Sequence, residues 1–309
     1  MSGRGNQNQN RSYTASSFLL ELDGSHIAGF FRSVEGGGVK SDVMTYQMGN
    51  NPALWRQLSK PKYEDLKIQV GMSMSQEFYG WISRFFRGEV ERRNGAIISG
   101  DFHYKERARR VMNNMLISEV VIPKFDAGDK APCYMTVGLV PETVEFQPGD
   151  ANIDLSPTVQ MRQKLWTPNR FEFTINGFER CLGRVTKIES FTIKQQIMEY
   201  RSGNRRNPWR VPGRVEFPNL TFYLPEADAR PLINHFEKRV LLGQPPPHAR
   251  LTGGITALDA DLNPLCTVSL YGIDISSIGP DKSDSTSQDI KQIRIDITCE
   301  EMKFEYHNS

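Results

Sequence analysis

Along FTIKQQIMEY (191–200) the apolar residues Phe191, Ile193 and Ile197 alternate with Thr192, Lys194 and Gln196. A period of two places one set of side chains against a core and the other in water, so this stretch predicts a half-buried antiparallel strand. The same alternation at Met135, Val137 and Leu139, and again at Ile293, Ile295 and Ile297, predicts two closing strands. The period changes in two places. In SQEFYGWISRFFRGEVERR (75–93), Phe78, Trp81, Ile82, Phe85 and Phe86 fall on one stripe of a 3.6-residue period, which predicts an amphipathic helix whose aromatic stripe is core. ADARPLINHFEKRVLLG (227–243) repeats the stripe at Leu232, Ile233, Phe236 and Val240, with Gly243 where a C-cap belongs. Strands otherwise dominate, so the fold class is mainly β (α+β): a sheet curled or doubled into a sandwich or barrel, with a helix over an opening or edge.

The pattern is written twice. MTYQMGN (44–50) answers to MEYRSGN (198–204), an offset of 154 (198 minus 44). FLLELDG (18–24) answers to FEFTING (171–177) at 153, and Trp55/Trp209 and Leu66/Leu220 keep 154. Further on, Val111/Val268 and Pro123/Pro280 match at 157, and Phe146/Phe304 at 158. A slow drift of this kind is what short insertions between matched elements leave behind, so the halves are read as copies of one domain. The expected organisation is a flexible arm over 1–16, a first domain over 17–147, a linker over 148–169 and a second domain over 170–309. Asp23-Gly24 and Asn176-Gly177 each suit a tight hairpin turn between a first and a second strand. The stretch 201–219 reads as a long polar excursion that interrupts the sheet before LTFYL (220–224) resumes it.

The composition narrows the chemistry. A net charge of +2 with 38% hydrophobic and 24% charged residues in 309 advertises no electrostatic partner. No apolar run approaches the ~20 residues of a membrane span, and the first residues have no secretory h-region, so synthesis in the cytoplasm and no membrane partner are expected. The four cysteines, Cys133, Cys181, Cys266 and Cys299, are scattered singly and are read as free thiols. The five histidines form no metal-binding or catalytic pair, and no nucleophile motif is present. VEGGGVKS (34–41) lacks phosphate-loop spacing and is read as a bulge or tight turn. No catalytic residue, no metal and no cofactor is expected.

The densest basic cluster is Arg201, Arg205, Arg206, Arg210 and Arg214, with Trp209 among them. Arg and Trp anchor protein interfaces, and a basic aromatic loop can also bind single-stranded nucleic acid or lie solvated. The counterpart in the first half keeps the pair Trp55-Arg56 and loses most of the charge. What both copies keep is shape and anchor, which puts a protein interface first among the three readings.

A first strand ending in Asp/Asn-Gly, the strand end IMEYRSGN, the stretch VPGRVEFPNLTF and the helix after it resemble the tail-tube proteins of contractile phages and related injection particles. The tube protein of type VI secretion shares that fold. The resemblance covers roughly 18–147 and 170–306, and the first copy keeps its outline with less of the motif. It implies two tandem tail-tube-like β-sandwich or barrel domains, each with one flanking amphipathic helix. It further implies a ring, as tail tube or as a tube-initiator or hub adaptor at the baseplate end, that serves as a conduit for DNA or an effector protein. The implied partners are copies of the chain itself, with a trimer giving a pseudo-hexamer placed ahead of a hexamer, and tail-tube, sheath, baseplate or spike proteins in a virion tail or injection particle. Inter-subunit and inter-ring contacts fall, by the same resemblance, on Gly49, Asn50, Trp55, Arg56, Gly203, Asn204, Arg205, Arg206, Trp209, Arg210, Pro212 and Gly213. The competing expectation is a soluble, non-enzymatic binding module with a doubled β-domain.

Overall fold

The computed structural model describes residues 17–24, 26–47, 49, 54–156, 166–203, 207–245, 250–281 and 290–307. The expectations for the arm 1–16 and for Asn50, Asn204, Arg205 and Arg206 lie outside the described residues.

The first copy runs β1 (Ser17–Leu22), β2 (His26–Phe31), β3 (Ser33–Gly36), β4 (Val39–Gln47), β5 (Leu54–Tyr63), β6 (Leu66–Val70), α1 (Gln76–Phe86), β7 (Arg93–Gly100), β8 (Glu106–Ile122), β9 (Phe125–Asp126), β10 (Met135–Val140) and β11 (Thr143–Pro148). The second runs β12 (Phe171–Ile175), α2 (Glu179–Leu182), β13 (Lys187–Ile188), β14 (Phe191–Tyr200), β15 (Trp209–Glu216), β16 (Leu220–Pro225), α3 (Arg230–Phe236), β17 (Leu251–Leu258), β18 (Pro264–Pro280), β19 (Gln292–Thr298) and β20 (Glu301–Tyr306).

Both copies pair their strands in one order. In the first, β1 pairs β7, β7 pairs β8, β8 pairs β11 and β10, β10 pairs β6, and β6 pairs β3. In the second, β12 pairs β17, β17 pairs β18, β18 pairs β20 and β19, β19 pairs β16, and β16 pairs β13. The long strands β8 and β18 each serve two sheets in turn and bend between them at a left-handed residue, Asn114 (φ 52) and Gly272 (φ 64). Asn and Gly tolerate that region best. Beyond the bend each ladder skips one serine, Ser118 and Ser276. These registers set an offset of 158 (272 minus 114) along the long strands, so Val111 is equivalent to Ser269 and Ile122 to Pro280. The matches of Val111 with Val268 and Pro123 with Pro280 are each one residue out, because the strand registers there run at 158.

Two expectations fail in the second copy. Asp23 (φ 51) and Gly24 (φ 79) turn the chain into β2, whereas after β12 only Gly177 is left-handed (φ 93) and α2 replaces the second strand. Helix α1 has the capping the sequence promises, with the Ser75 side chain accepting from the Phe78 N–H and all five stripe residues buried. Helix α3 has no side-chain cap and widens after Phe236 into a π turn over Glu237–Leu241. Its i→i+5 bond, Leu242 N–H to the Glu237 carbonyl at 2.9 Å, carries the stripe off the core, and Val240 is 51% exposed instead of packed.

One contiguous apolar core runs through both copies. The described parts of the segment between them lie against the first copy. Leu155 is buried with Leu19, Ala96 and Ile98, Asp154 pairs with Lys105 at 3.1 Å, and buried Trp166 accepts a bond from the Cys133 N–H.

Candidate assembly interface

The stretch read as a polar excursion is a strand. β15 pairs with β14, and β5 pairs with β4, in one register at an offset of 154: Tyr46 faces Trp55 as Tyr200 faces Trp209, and Thr45 faces Arg56 as Glu199 faces Arg210. Each hairpin carries the same bulge, between Ser41 and Val43 and between Gln195 and Ile197. The side chain at each bulge donates to the carbonyl opposite it, Ser41 to Ser59 at 2.9 Å and Gln195 to Gly213 at 2.8 Å. That bond explains how Gln195 is tolerated as a buried polar residue.

The hairpins differ in what they join. Phe191–Lys194 of β14 pair antiparallel with Ile122–Glu119 of β8, so the hairpin of the second copy extends a sheet of the first into ten strands. Ile193 and Val120, facing one another, are fully buried. A short rung, Phe125–Asp126 with Ile188–Lys187, continues the seam. Arg210 fastens the far side: its guanidinium pairs with Glu199 at 2.9 Å and donates to the Tyr63 carbonyl at 3.2 Å. Its backbone is gripped by an ion pair of the first copy, the Arg92 guanidinium donating to the Arg210 carbonyl at 2.7 Å and Glu142 accepting from the Arg210 N–H at 3.5 Å. Beside it, burial holds the Asp65 carboxyl above its ordinary value, against the opposing pull of Arg210. Helix α1 crosses in the other direction onto β20, where Tyr79 stacks on Tyr306 with centroids 4.0 Å apart and Phe86 lies 5.7 Å from Phe304.

The described candidate residues fall into three groups. Gly49 (φ 60) and Gly203 sit at the exposed ends of the hairpins, while Trp55 and Trp209 stand on their outer halves, 55% and 42% exposed. Pro212 and Gly213 form the bulge opposite Ile197 and Gln195. Arg210 is taken up by the seam within the chain, whereas Arg56 on the first copy's hairpin has no Glu199 equivalent, Thr45 standing there. Sequence reasoning missed the Arg92–Glu142 grip and the α1–β20 contact. Both had a signal, since Arg250–Glu300 and Phe146/Phe304 repeat them at 158.

Among the described residues the first copy's hairpin pairs with no other strand, and it meets the second copy at its base, where the Tyr63 carbonyl accepts from Arg210. β4 and β5 form a two-stranded sheet that carries seven of the exposed large apolar residues, Leu58 at 71% and Trp55 at 55% among them. At the other end of the chain, Ser277–Pro280, the counterpart of 119–122, pairs with β19 along one edge, and among the described residues no strand takes the other. Arg250 and Glu300 pair with each other at 3.1 Å and stay largely exposed. Phe146, the counterpart of buried Phe304, is 64% exposed.

Residues 14–145 match the model of the family described as T4-like virus tail tube protein gp19. Over those residues the chain is similar to the T4-like tail-tube family. The second half repeats the pairing order of the first, except that α2 stands in place of the second strand. The family is a structural one, so the chain is read as non-enzymatic on that ground. Among solved structures, the chain is similar to a component of the sheath–tube complex of an extracellular contractile injection system, PVC, in the extended state, with 17% identity, 45% of this chain and 94% of that one covered, and a TM-score of 0.40. It is similar to a chain of the anti-feeding prophage tube-terminating cap with 17% identity, coverage of 45% and 93%, and a TM-score of 0.40. A chain of the anti-feeding prophage baseplate matches with 17% identity, coverage of 44% and 93%, and a TM-score of 0.34. No curated protein matches in sequence. Among the described residues no three His, Cys, Asp or Glu are grouped to hold a metal, and no helix is long and apolar enough to cross a membrane.

Proposed function

We propose that this chain builds a ring in a contractile phage tail or phage-like injection particle, as tail tube or as a tube-initiator or hub adaptor at the baseplate end, and that the ring is a passive conduit for DNA or a protein effector. Three chains supply six tail-tube domains, which fits a sixfold tube on one face and a threefold spike on the other. Sheath, baseplate and spike proteins are its proposed neighbours, and assembly follows synthesis in the cytoplasm.

One observation carries this reading. The hairpin of the second copy completes a sheet of the first, while among the described residues the equivalent hairpin β4–β5 and the equivalent edge of β18 are left over, one in each copy. A head-to-tail joint repeated with the same rotation closes into a ring when the rotation divides the circle. Leaving the hairpin alone is unfavourable, since a two-stranded ribbon with apolar faces is marginal in water and its edges invite pairing.

Negative-stain microscopy of the purified chain tests the proposal: annular particles are expected, and a protein that stays monomeric at every concentration supports the binding-module reading instead. Hairpin-tip residues Gly49 and Gly203 and the tryptophans Trp55 and Trp209 are proposed to contact the next ring. Substituting both tryptophans with serine is expected to leave single rings and abolish stacks of them.

A further inference from the structure

We infer that the joint between neighbouring chains repeats the joint inside the chain contact for contact, with the strand entering β4 of one copy laid along Ser277–Pro280 of another in the register Val39 opposite Ile278 and Lys40 opposite Ser277. This rests on the ring reading and adds to it a register, a clamp and an apolar cap.

Three separate observations meet in it. The first is the backbone. Ile193 faces Val120 inside the chain, and subtracting 154 from the one and adding 158 to the other gives Val39 and Ile278. Val39 is 41% exposed, and Ile278 lies on the edge that no described strand occupies. The second is polar. Arg92–Glu142 grip the backbone of Arg210, and their counterparts Arg250–Glu300 are an exposed pair in the same relation to β18, with Arg56 the counterpart of Arg210. The third is apolar and lies on the opposite side of the joint. Phe304 is covered by Tyr79 and Phe86 of α1. Its counterpart Phe146 is 64% exposed, and so is the segment that would cover it, with Val240 at 51%, Leu241 at 69% and Leu242 at 70%. The π turn carries that segment off the core of its own domain and leaves its apolar side chains free for a neighbour.

All three contacts run in the same sense. Each domain gives its helix to the last strand of the next domain and takes that domain's hairpin onto its own long strand. A second copy of this chain is therefore the occupant, seated head to tail. The two seams are not equal in content. Gly37 and Gly38 stand where Phe191 and Thr192 fill the internal seam, and Ser277 stands where Glu119 faces Lys194. A ring of this kind alternates firm and weaker joints and opens between chains before it opens within them.

The test is a cysteine pair. Opposed residues of an antiparallel ladder lie about 4.5–5.5 Å apart at Cα, within disulfide reach. The chain is made with Val39→Cys and Ile278→Cys on a Cys299→Ser background, because the other native thiols are buried. Rings are confirmed by negative stain and oxidised with copper–phenanthroline. A ladder that ends at three covalently joined chains is expected, and Val43→Cys with Ile278→Cys, roughly 13 Å out of register, should give none. Rings without a ladder overturn the register and leave the ring reading standing. A crosslink confined to single chains overturns the head-to-tail joint, and absence of both rings and ladder overturns the joint and the ring together. Should the cysteine variants fail to fold, amide exchange on the unaltered chain decides: the amides of 38–40 and 277–279 should slow on assembly, and unchanged exchange in assembled rings overturns the register.

Discussion

Ile193 and Val39 occupy one position of the repeated domain in two states, buried to the last ångström in the internal seam and 41% exposed on the free hairpin. Ile193→Ala removes packed methyls and leaves a cavity, so a loss of about 2–5 kcal/mol of unfolding free energy is expected. Val39→Ala should stay within about 0.5 kcal/mol in the isolated chain and act on assembly alone. Denaturant unfolding beside sedimentation separates the two. Arg210→Ala leaves the Tyr63 carbonyl without this donor and Glu199 with Arg201 alone, a cost of about 1–3 kcal/mol read by the same unfolding curves. Asp154 supplies a pH test. The Ser156 N–H and hydroxyl and then Lys105 pull its carboxyl down to about 2 from a reference of 3.8. A depressed carboxylate contributes stability that is complete above the unfolded value and lost as pH falls through the folded one. Docking of the segment around Leu155 should therefore persist below pH 3.8 and weaken on approach to about 2, and Asp154→Asn should erase that dependence in a carbon-detected NMR titration. The cysteines offer little chemistry: burial pushes Cys133, Cys266 and Cys299 up to about 12, so thiolate is scarce near neutral pH.

Among the elements, the two hairpins should respond differently to removal. Replacing 42–60 with a short glycine linker takes away a ribbon that no described strand supports, so the melting temperature of the isolated chain should hardly move while ring formation is lost. Replacing 196–214 removes the Arg210 tie and most of β15 from a ten-stranded sheet, and the isolated chain should melt several degrees lower. Calorimetry with size-exclusion chromatography reads both. How far these elements could be read from the sequence follows from their surroundings. Met135, Val137 and Leu139 show a clean period because one face of β10 is core and all three are buried. β15 was hidden because it exposes much of its length, and Pro212 and Gly213 sit at its bulge, where a strand tolerates them. The letters Asn-Gly after β12 repeat the turn after β1, yet Phe178, Cys181 and Leu182 then pack as a helical turn. No local signal distinguishes the two. The π turn after α3 carries Val240, Leu241 and Leu242 off the core, and the 3.6-residue stripe carries no sign of it.

For the whole molecule, the duplication does more than double the mass. In the proposed ring it makes one of every two joints between domains a covalently linked seam and leaves the other to assembly. The repeat itself is visible in the sequence, because the matched positions keep register through both halves. The shared sheet across the copies is not, since pairing between distant strands leaves no local periodicity. The Arg92–Glu142 and Arg250–Glu300 pairs were present as matched letters, and only the structure gives them a common task. In the proposed ring, two consecutive domains of one chain take two consecutive places around a pore. Native mass spectrometry of isolated single rings, with symmetry read from their two-dimensional class averages, measures this directly. Three chains per ring, with six similar lobes in threefold alternation, is the predicted result; six chains in one layer, or a single chain whose hairpin β4–β5 is covered by its own β18, would contradict it.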